Sequence, residues 1–458
     1  MHRQLSPIGE INPHQWEHIK RRQSIPIREK QINPQWEHIK HRQLIPIGEI
    51  NLPQWEHIKH RQLIPIGEIN PPQWEHIKHR KLIPIGENAN TVTNGAALRV
   101  LIYPYIPDLK GDGLKSLRQF ITREFFVQSG IKIQVDGDPA TTDLYTLQNL
   151  KTYLGAGPSA YDLVEVDTIL LGEMVKANLL QPNPNPGIQV NSESFFRFAV
   201  DSVKYNGIVY GIPTLVCSNF LATLTSPKGS QEVDLIGNFR GSWTLPGHYL
   251  NGYVNKLGAS TMDAGVLSNP PEHDDIVQKI RQLSNRCARC DGRNPCTDNT
   301  YNNDSNAMIS DVIGSKKSNF LAYSEVIGQV LYTEPGVQVD SVIAPPLGGA
   351  GYLPMYTDAL VANRNTYEAK KEDIKKFMKF YTSVLFRHQY ALCGDMPGPN
   401  CARYVLPANL GFYSLVPSHP FYAMLYEVIT KSGTPGPNHE LYYKKDCLDG
   451  ILSKALKY

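Results

Sequence analysis

Tyr205-Asn-Gly-Ile-Val-Tyr-Gly-Ile-Pro213 runs straight into Thr214-Leu-Val-Cys217-Ser-Asn-Phe-Leu221. The second half is a short apolar run that reads as a strand, and Cys217 stands at its end. The chain has seven cysteines. The other six are Cys287, Cys290, Cys296, Cys393, Cys401 and Cys447, in tight clusters or near a terminus, where disulfides can form. An odd cysteine in a chain otherwise suited to pairing is a candidate free, reactive thiol. The competing reading is a core cysteine, since unpaired cysteines are commonly buried.

Upstream of this stretch, strands and helices alternate. Leu98-Arg-Val-Leu-Ile-Tyr-Pro-Tyr-Ile-Pro107 is a strand ended by prolines. Residues 113–126 carry Leu114, Leu117, Phe120, Ile121 and Phe125 at helical spacing, and 131–135 alternate like a second strand. A helix is expected over 141–154 and a strand over Tyr161-Asp-Leu-Val-Glu-Val-Asp167. A further helix, 169–180, stops at a loop rich in proline and asparagine. Such alternation favours a parallel α/β sheet. Downstream come a second α/β region, a cysteine-bearing loop and the glycine-rich return Val342-Ile-Ala-Pro-Pro-Leu-Gly-Gly-Ala-Gly351. Tyr356-Thr-Asp358-Ala-Leu-Val follows, and then an amphipathic helix over 368–387 carrying Ile374, Phe377, Met378, Tyr381 and Leu385.

At 458 residues the chain is too long for one ordinary domain, and two or three cores are expected. Its 41% apolar and 19% charged content reads as soluble and globular. Residues 1–88 hold 13 Lys and Arg against 9 Asp and Glu, which leaves 33 against 34 in the rest. That balance offers no basic footprint for nucleic acid. No apolar run approaches the roughly 18 residues of a membrane span.

Residues 3–87 are a tandem repeat. Trp16, Trp36, Trp55 and Trp74 each open a Trp-Glu-His-Ile-Lys unit, at spacings of 20, 19 and 19. The later copies are almost identical even where they look exposed, which suggests recent duplication and a flexible extension. A basic, histidine-rich interaction arm is the sharper alternative. Residues 89–96 read as a linker.

Cys287, Cys290 and Cys296 form Cys-x-x-Cys-x5-Cys in a polar loop. A zinc site would need a second ligand pair, and His273 alone is a poor fourth ligand, so disulfides in a secreted or extracytoplasmic protein fit better. The chain start argues the other way, because Met1 leads into Pro/His/Arg-rich sequence with no apolar signal core.

The order of elements resembles the type II periplasmic-binding-protein fold. The resemblance covers about 97–440 and rests on the first strand, the Asp-Leu-Val…Asp strand, the Tyr-Gly-Ile-Pro crossover and the late glycine-rich return. It implies a two-lobed α/β fold: lobe 1 about 97–208 with part of 350–458, and lobe 2 about 209–349. Hinges are expected near Tyr210–Pro213 and Pro345–Tyr356.

More narrowly, the chain resembles thiaminase I (thiamine pyridinylase) at Tyr103-Pro-Tyr105, Gly211-Ile-Pro-Thr-Leu-Val-Cys217, Ala322-Tyr323-Ser-Glu325 and Tyr356-Thr-Asp358. That resemblance implies Cys217 as nucleophile and Glu325 as its base, with no metal or cofactor. It further implies a substrate site of tyrosines and aspartates: Tyr103, Tyr105, Asp167, Tyr301, Tyr323, Tyr356 and Asp358. The implied partners are thiamine and an organic base or thiol acceptor, without nucleic acid or membrane, and with the protein a monomer. Plain alternatives remain for each residue: Glu325 on a solvated helix face, the strand-end tyrosines packed on a helix, and Asp167 capping the helix that follows it. For the whole protein the alternative is a non-catalytic binding protein for thiamine or a pyrimidine fragment.

Overall fold

The computed structural model describes residues 97–225, 235–258, 274–289, 291–303, 305–315, 319–334, 336–349, 351–396, 402–435 and 439–458. The tandem repeats and linker, with Cys290, His273 and Cys401, lie outside the described residues.

The first sheet begins with β1 (Leu98–Leu101), β2 (Ile133–Asp136) and β3 (Leu163–Asp167). All three are parallel, with β1 in the centre. The helix Lys115–Ser129 packs against β2, and the helix Arg364–Tyr381 against β1. A small hairpin follows, β4 (Lys204–Tyr205) and β5 (Ile208–Val209). Its turn is Asn206-Gly207, at φ 49° and 78°, the left-handed pair that tight hairpins require.

The chain then makes β6 (Gly211–Cys217), β7 (Asn219–Thr225), β8 (Leu235–Gly237), β9 (Asn319–Tyr323), β10 (Gln338–Ile343), β11 (Leu353–Ala362), β12 (Leu406–Pro407) and β13 (Gly433–Pro435). One sheet has the order β12-β6-β11-β3-β1-β2, with β13 beside β11, and the other is β10-β7-β9-β8. The expected parallel sheet holds for β1 to β3. Beyond them it is mixed, because β11 returns from the other sheet and runs antiparallel to both β3 and β6.

The passage between sheets is not where the sequence placed it. Gly211–Pro213 lie inside β6, paired with β11 of the first sheet, so Tyr210–Pro213 is no crossover. The chain leaves the first sheet at Cys217 and enters the second at Asn219, which puts the crossover at Ser218. It returns between Ile343 and Leu353.

Two expected helices also differ. Over 141–154 only Leu147–Tyr153 is helical. The Thr146 hydroxyl accepts the Asn149 N–H, and the Asp143 carboxylate accepts the Tyr145 N–H at 2.8 Å, so local side-chain bonds hold 143–146 in a turn. The long helix over 368–387 is two helices, Arg364–Tyr381 and Val384–Ala391. The Ser383 hydroxyl accepts the Phe386 N–H at 3.2 Å and starts a new helix. Leu385 therefore leaves the apolar face and is 71% exposed.

Cys287 and Cys296 form a disulfide, and Cys393 is disulfide-bonded as well. Cys217 is free, and so is Cys447, exposed on the helix His439–Leu456. An odd count therefore does not by itself single out Cys217. Among the described residues, no helix is long and apolar enough to cross a membrane.

Candidate active site

Strand register gathers the candidate residues. Side chains directly opposite on paired strands share a face, and so do residues two apart on one strand. Cys217 pairs with Tyr356, Leu215 with Asp358, and Asp358 with Asp167 across β6, β11 and β3. These side chains line a cavity of about 330 Å³. The Tyr103–Tyr105 segment enters it just after β1 ends. From the second sheet, Asn219 pairs with Tyr323 at the end of β9, and the helix Ser324–Thr333 starts one residue later. Tyr323 and Glu325 thereby reach the same cavity.

Glu325 is held by its surroundings. The Ser324 hydroxyl lies 3.2 Å from Oε2 of Glu325 and 2.9 Å from the Tyr404 carbonyl oxygen. One turn on, Gly328 lets the Tyr404 ring lie against the helix, where a Cβ would meet Cδ2 at 2.2 Å.

Asp167 does two things at once. Its Oδ1 accepts the Ile169 N–H at 2.9 Å, capping the short helix Thr168–Leu170. Its Oδ2 accepts the Tyr145 hydroxyl at 3.4 Å, and the Tyr145 and Tyr103 hydroxyls are 2.6 Å apart. Asp167 therefore caps the helix and also lines the cavity.

Eight of the nine expected side chains thus share one cavity. The exception is Tyr301. It is buried elsewhere, with its hydroxyl donating to Asp311 at 2.7 Å, and is not among the lining residues. Its surroundings had no sequence pattern tying them to the pocket.

Two aromatic lining residues were missed, Tyr145 and Trp243. Tyr145 was hidden inside an expected helix that the structure shows to be a turn. Trp243 immediately precedes the helix Thr244–Leu257, and its ring lies 5.2 Å from that of Tyr145. Its one signal was to be the only tryptophan outside the repeats. With Tyr103–Tyr105 at 5.3 Å and Tyr105–Tyr145 at 5.6 Å, the rings form a continuous aromatic wall.

Electrostatically the cavity is one-sided. Among the described residues, its lining holds the carboxyls of Asp167, Glu325 and Asp358 and no Lys, Arg or His. Burial pushes Glu325 up to about 7, against the opposing effect of its hydrogen bonds to backbone and to Ser324. Asp167 rises to about 6 through burial, opposed by the Ile169 N–H and the Tyr145 hydroxyl. Asp358 is raised well above the usual range by burial and then by the negative charges of Asp167, Glu165 and Glu325. The Cys217 thiol is likewise pushed well up, by burial first and then by Asp358, Glu325 and Asp167. Both burial and the surrounding carboxyls thus favour the neutral thiol of Cys217 over its thiolate.

These features define a class: a two-lobed α/β protein of periplasmic-binding-protein type, with an acidic, aromatic-walled cavity built from both sheets. Within that class the chain resembles Thiaminase-1 of Paenibacillus thiaminolyticus, at 25% identity over 363 residues, 73% of this chain and 81% of the relative. Among solved structures it is similar to thiaminase I of Clostridium botulinum in complex with thiamin. The TM-score is 0.60 at 19% identity, covering 79% of this chain and 100% of that one. The maltotriose-binding protein of Thermus thermophilus, bound with maltotriose, aligns at a TM-score of 0.54 and 16% identity, over 79% of this chain and 94% of that one. These two structural likenesses establish the fold. No protein-family model matches the chain.

Proposed function

We propose that the protein is a thiamine-cleaving transferase, a thiamine pyridinylase, with Cys217 as nucleophile and Glu325 as its base. One observation carries the reading: a free cysteine and a carboxyl near neutrality share a cavity of aromatic rings and carboxyls with no basic side chain among its described lining residues. A flat, cationic heterocycle suits such a cavity, since rings and carboxylates both attract it. Thiamine joins a neutral aminopyrimidine to a positively charged thiazolium through one methylene.

In the first half-reaction Glu325 takes the thiol proton and the Cys217 sulfur adds to the pyrimidine. The methylene–thiazolium bond breaks, its electron pair goes to the thiazolium nitrogen, and thiazole departs neutral. A second nucleophile, an organic base or a thiol that gives up its proton to solvent, then adds at the methylene, and the cysteine is expelled as a thiolate that takes back the proton held by Glu325. Asp358 and Asp167 accept hydrogen bonds from the aminopyrimidine or balance the thiazolium charge. Tyr103, Tyr105, Tyr323 and Tyr356 form the walls. The proposal also includes the division of the chain into an N-terminal extension and a two-lobed catalytic body, acting as a monomer. The disulfide is consistent with an extracytoplasmic setting.

Incubation with thiamine and pyridine is expected to consume thiamine, and Cys217→Ala to abolish turnover. Thiamine alone is expected to leave a pyrimidine adduct on Cys217, read by mass spectrometry. Tight thiamine binding without adduct or turnover would instead identify a binding protein.

A further inference from the structure

Behind the aromatic wall lies a charged pair that takes no part in the chemistry proposed above. Glu165 and Arg387 have side chains 0% and 1% exposed, with Nη2 and Oε1 3.3 Å apart. Burying two charges carries a desolvation cost that their attraction only roughly offsets, and an apolar pair of similar volume is often as stable. The Arg387 guanidinium also lies over the rings of Tyr381 and Tyr390, at 4.1 and 5.2 Å.

The second oxygen of Glu165 shows what the pair holds. Oε2 accepts the Tyr381 hydroxyl at 2.7 Å and the backbone N–H of Tyr103 at 3.0 Å. The Ile102 N–H still bonds the Asp136 carbonyl at 3.0 Å, beside β2. One residue later the chain has left the sheet, and a carboxylate oxygen serves the Tyr103 amide in place of a strand.

The register of β3 closes a ring of contacts. Glu165 and Asp167 are two residues apart and share a face. Asp167 accepts the Tyr145 hydroxyl, and that hydroxyl is bonded to the hydroxyl of Tyr103. One strand therefore grips the Tyr103–Tyr145 pair at both ends, by backbone at one and by hydroxyl at the other.

We propose that Glu165, backed by Arg387, is a positioning residue of the substrate cavity, fixing the Tyr103–Tyr145 wall from behind through the Tyr103 amide. The inference deepens the thiamine reading and rests on it for the identity of the ligand. Replacing the pair together, Glu165→Leu with Arg387→Met, leaves no buried charge unpaired. This double variant is expected to melt cooperatively and to raise the thiamine KM about tenfold, with kcat changed less than about threefold. Glu165→Gln keeps an acceptor for the Tyr103 amide but leaves the buried Arg387 charge unpaired, so it is expected to lower the melting temperature while raising KM less than the double variant does. Tyr103→Phe is expected to cost less affinity in the double variant than alone, because both changes act on one wall.

A folded double variant with unchanged KM, or strictly additive effects with Tyr103→Phe, overturns the inference. A second measurement needs no variant. The Tyr103 amide of the unsubstituted protein is expected to exchange hydrogen as slowly as the amides of β1, and exchange at the rate of an open loop overturns the anchor even where the double variant does not fold. If the unsubstituted protein neither binds nor consumes thiamine, the functional reading fails instead, and amide exchange still decides the anchor.

Discussion

Burial and three neighbouring carboxyls all work against a Cys217 thiolate, so in the mechanism proposed above the state of Glu325 would govern when the thiolate forms. A base must be deprotonated to act, and burial pushes Glu325 up to about 7. For thiamine, kcat/KM is therefore expected to rise with pH through about 7. Glu325→Gln is expected to remove that limb and lower kcat by about 100-fold or more, as measured by thiamine consumption across pH 5 to 9.

The same groups couple stability to pH. Asp167, Glu325 and Asp358 all hold their protons more tightly in the native state than a free carboxyl does. Such groups favour folding at low pH, and the contribution is lost as pH rises from about 4 through their native values. The melting temperature is expected to fall between pH 5 and 8, and Asp358→Asn to shrink that fall. A calorimetric melting series showing a steeper fall in the variant would contradict this.

At the scale of elements, the helix Ser324–Thr333 places Glu325 only because its first turns are pinned. The Ser324 hydroxyl bonds the Tyr404 carbonyl, and Gly328 receives the Tyr404 ring. Tyr404 itself has φ 57°, a left-handed conformation that ordinary side chains adopt rarely. Gly328→Ala forces a Cβ onto that ring, an overpacking expected to cost about 1–3 kcal/mol. A lowered melting temperature together with a lowered kcat is the expected result. A melting shift with kcat intact would mean that Tyr404 supports the fold and not the base.

At the scale of the molecule, Cys217 closes the first sheet one residue before the crossover at Ser218, so the proposed nucleophile sits where the chain passes from one sheet to the other. Tyr145, between β2 and β3, and Trp243, after β8, meet 5.2 Å apart. An aromatic pair of this kind contributes about 0.5–1.5 kcal/mol beyond its buried area. Trp243→Ala is expected to raise the thiamine KM by about two- to tenfold, and a binding isotherm indistinguishable from the unsubstituted protein would remove Trp243 from the site.

The amino-acid order alone determined the alternation of elements and the short motifs around Tyr103, Cys217, Glu325 and Asp358, on which the resemblance that implied two lobes rested. Those are local patterns, in which apolar periodicity and residue type sit next to one another in the chain. Tertiary structure decided the rest. Tyr145 became a wall residue because Asp143 and Thr146 hold its segment in a turn that periodicity read as helix. Trp243 came from a segment far along the chain, and Tyr301 lies outside the lining, its hydroxyl bonded to Asp311. Glu165 drew no functional reading from the sequence, being one of three carboxylates in the stretch 161–167. Its partners lie 62, 216 and 222 positions away in sequence, and only folding brings a backbone amide, a phenol and a guanidinium to one carboxylate. Contacts of that separation leave no periodic trace in a chain, because they are set by how sheets and helices stack and not by the neighbours of any residue.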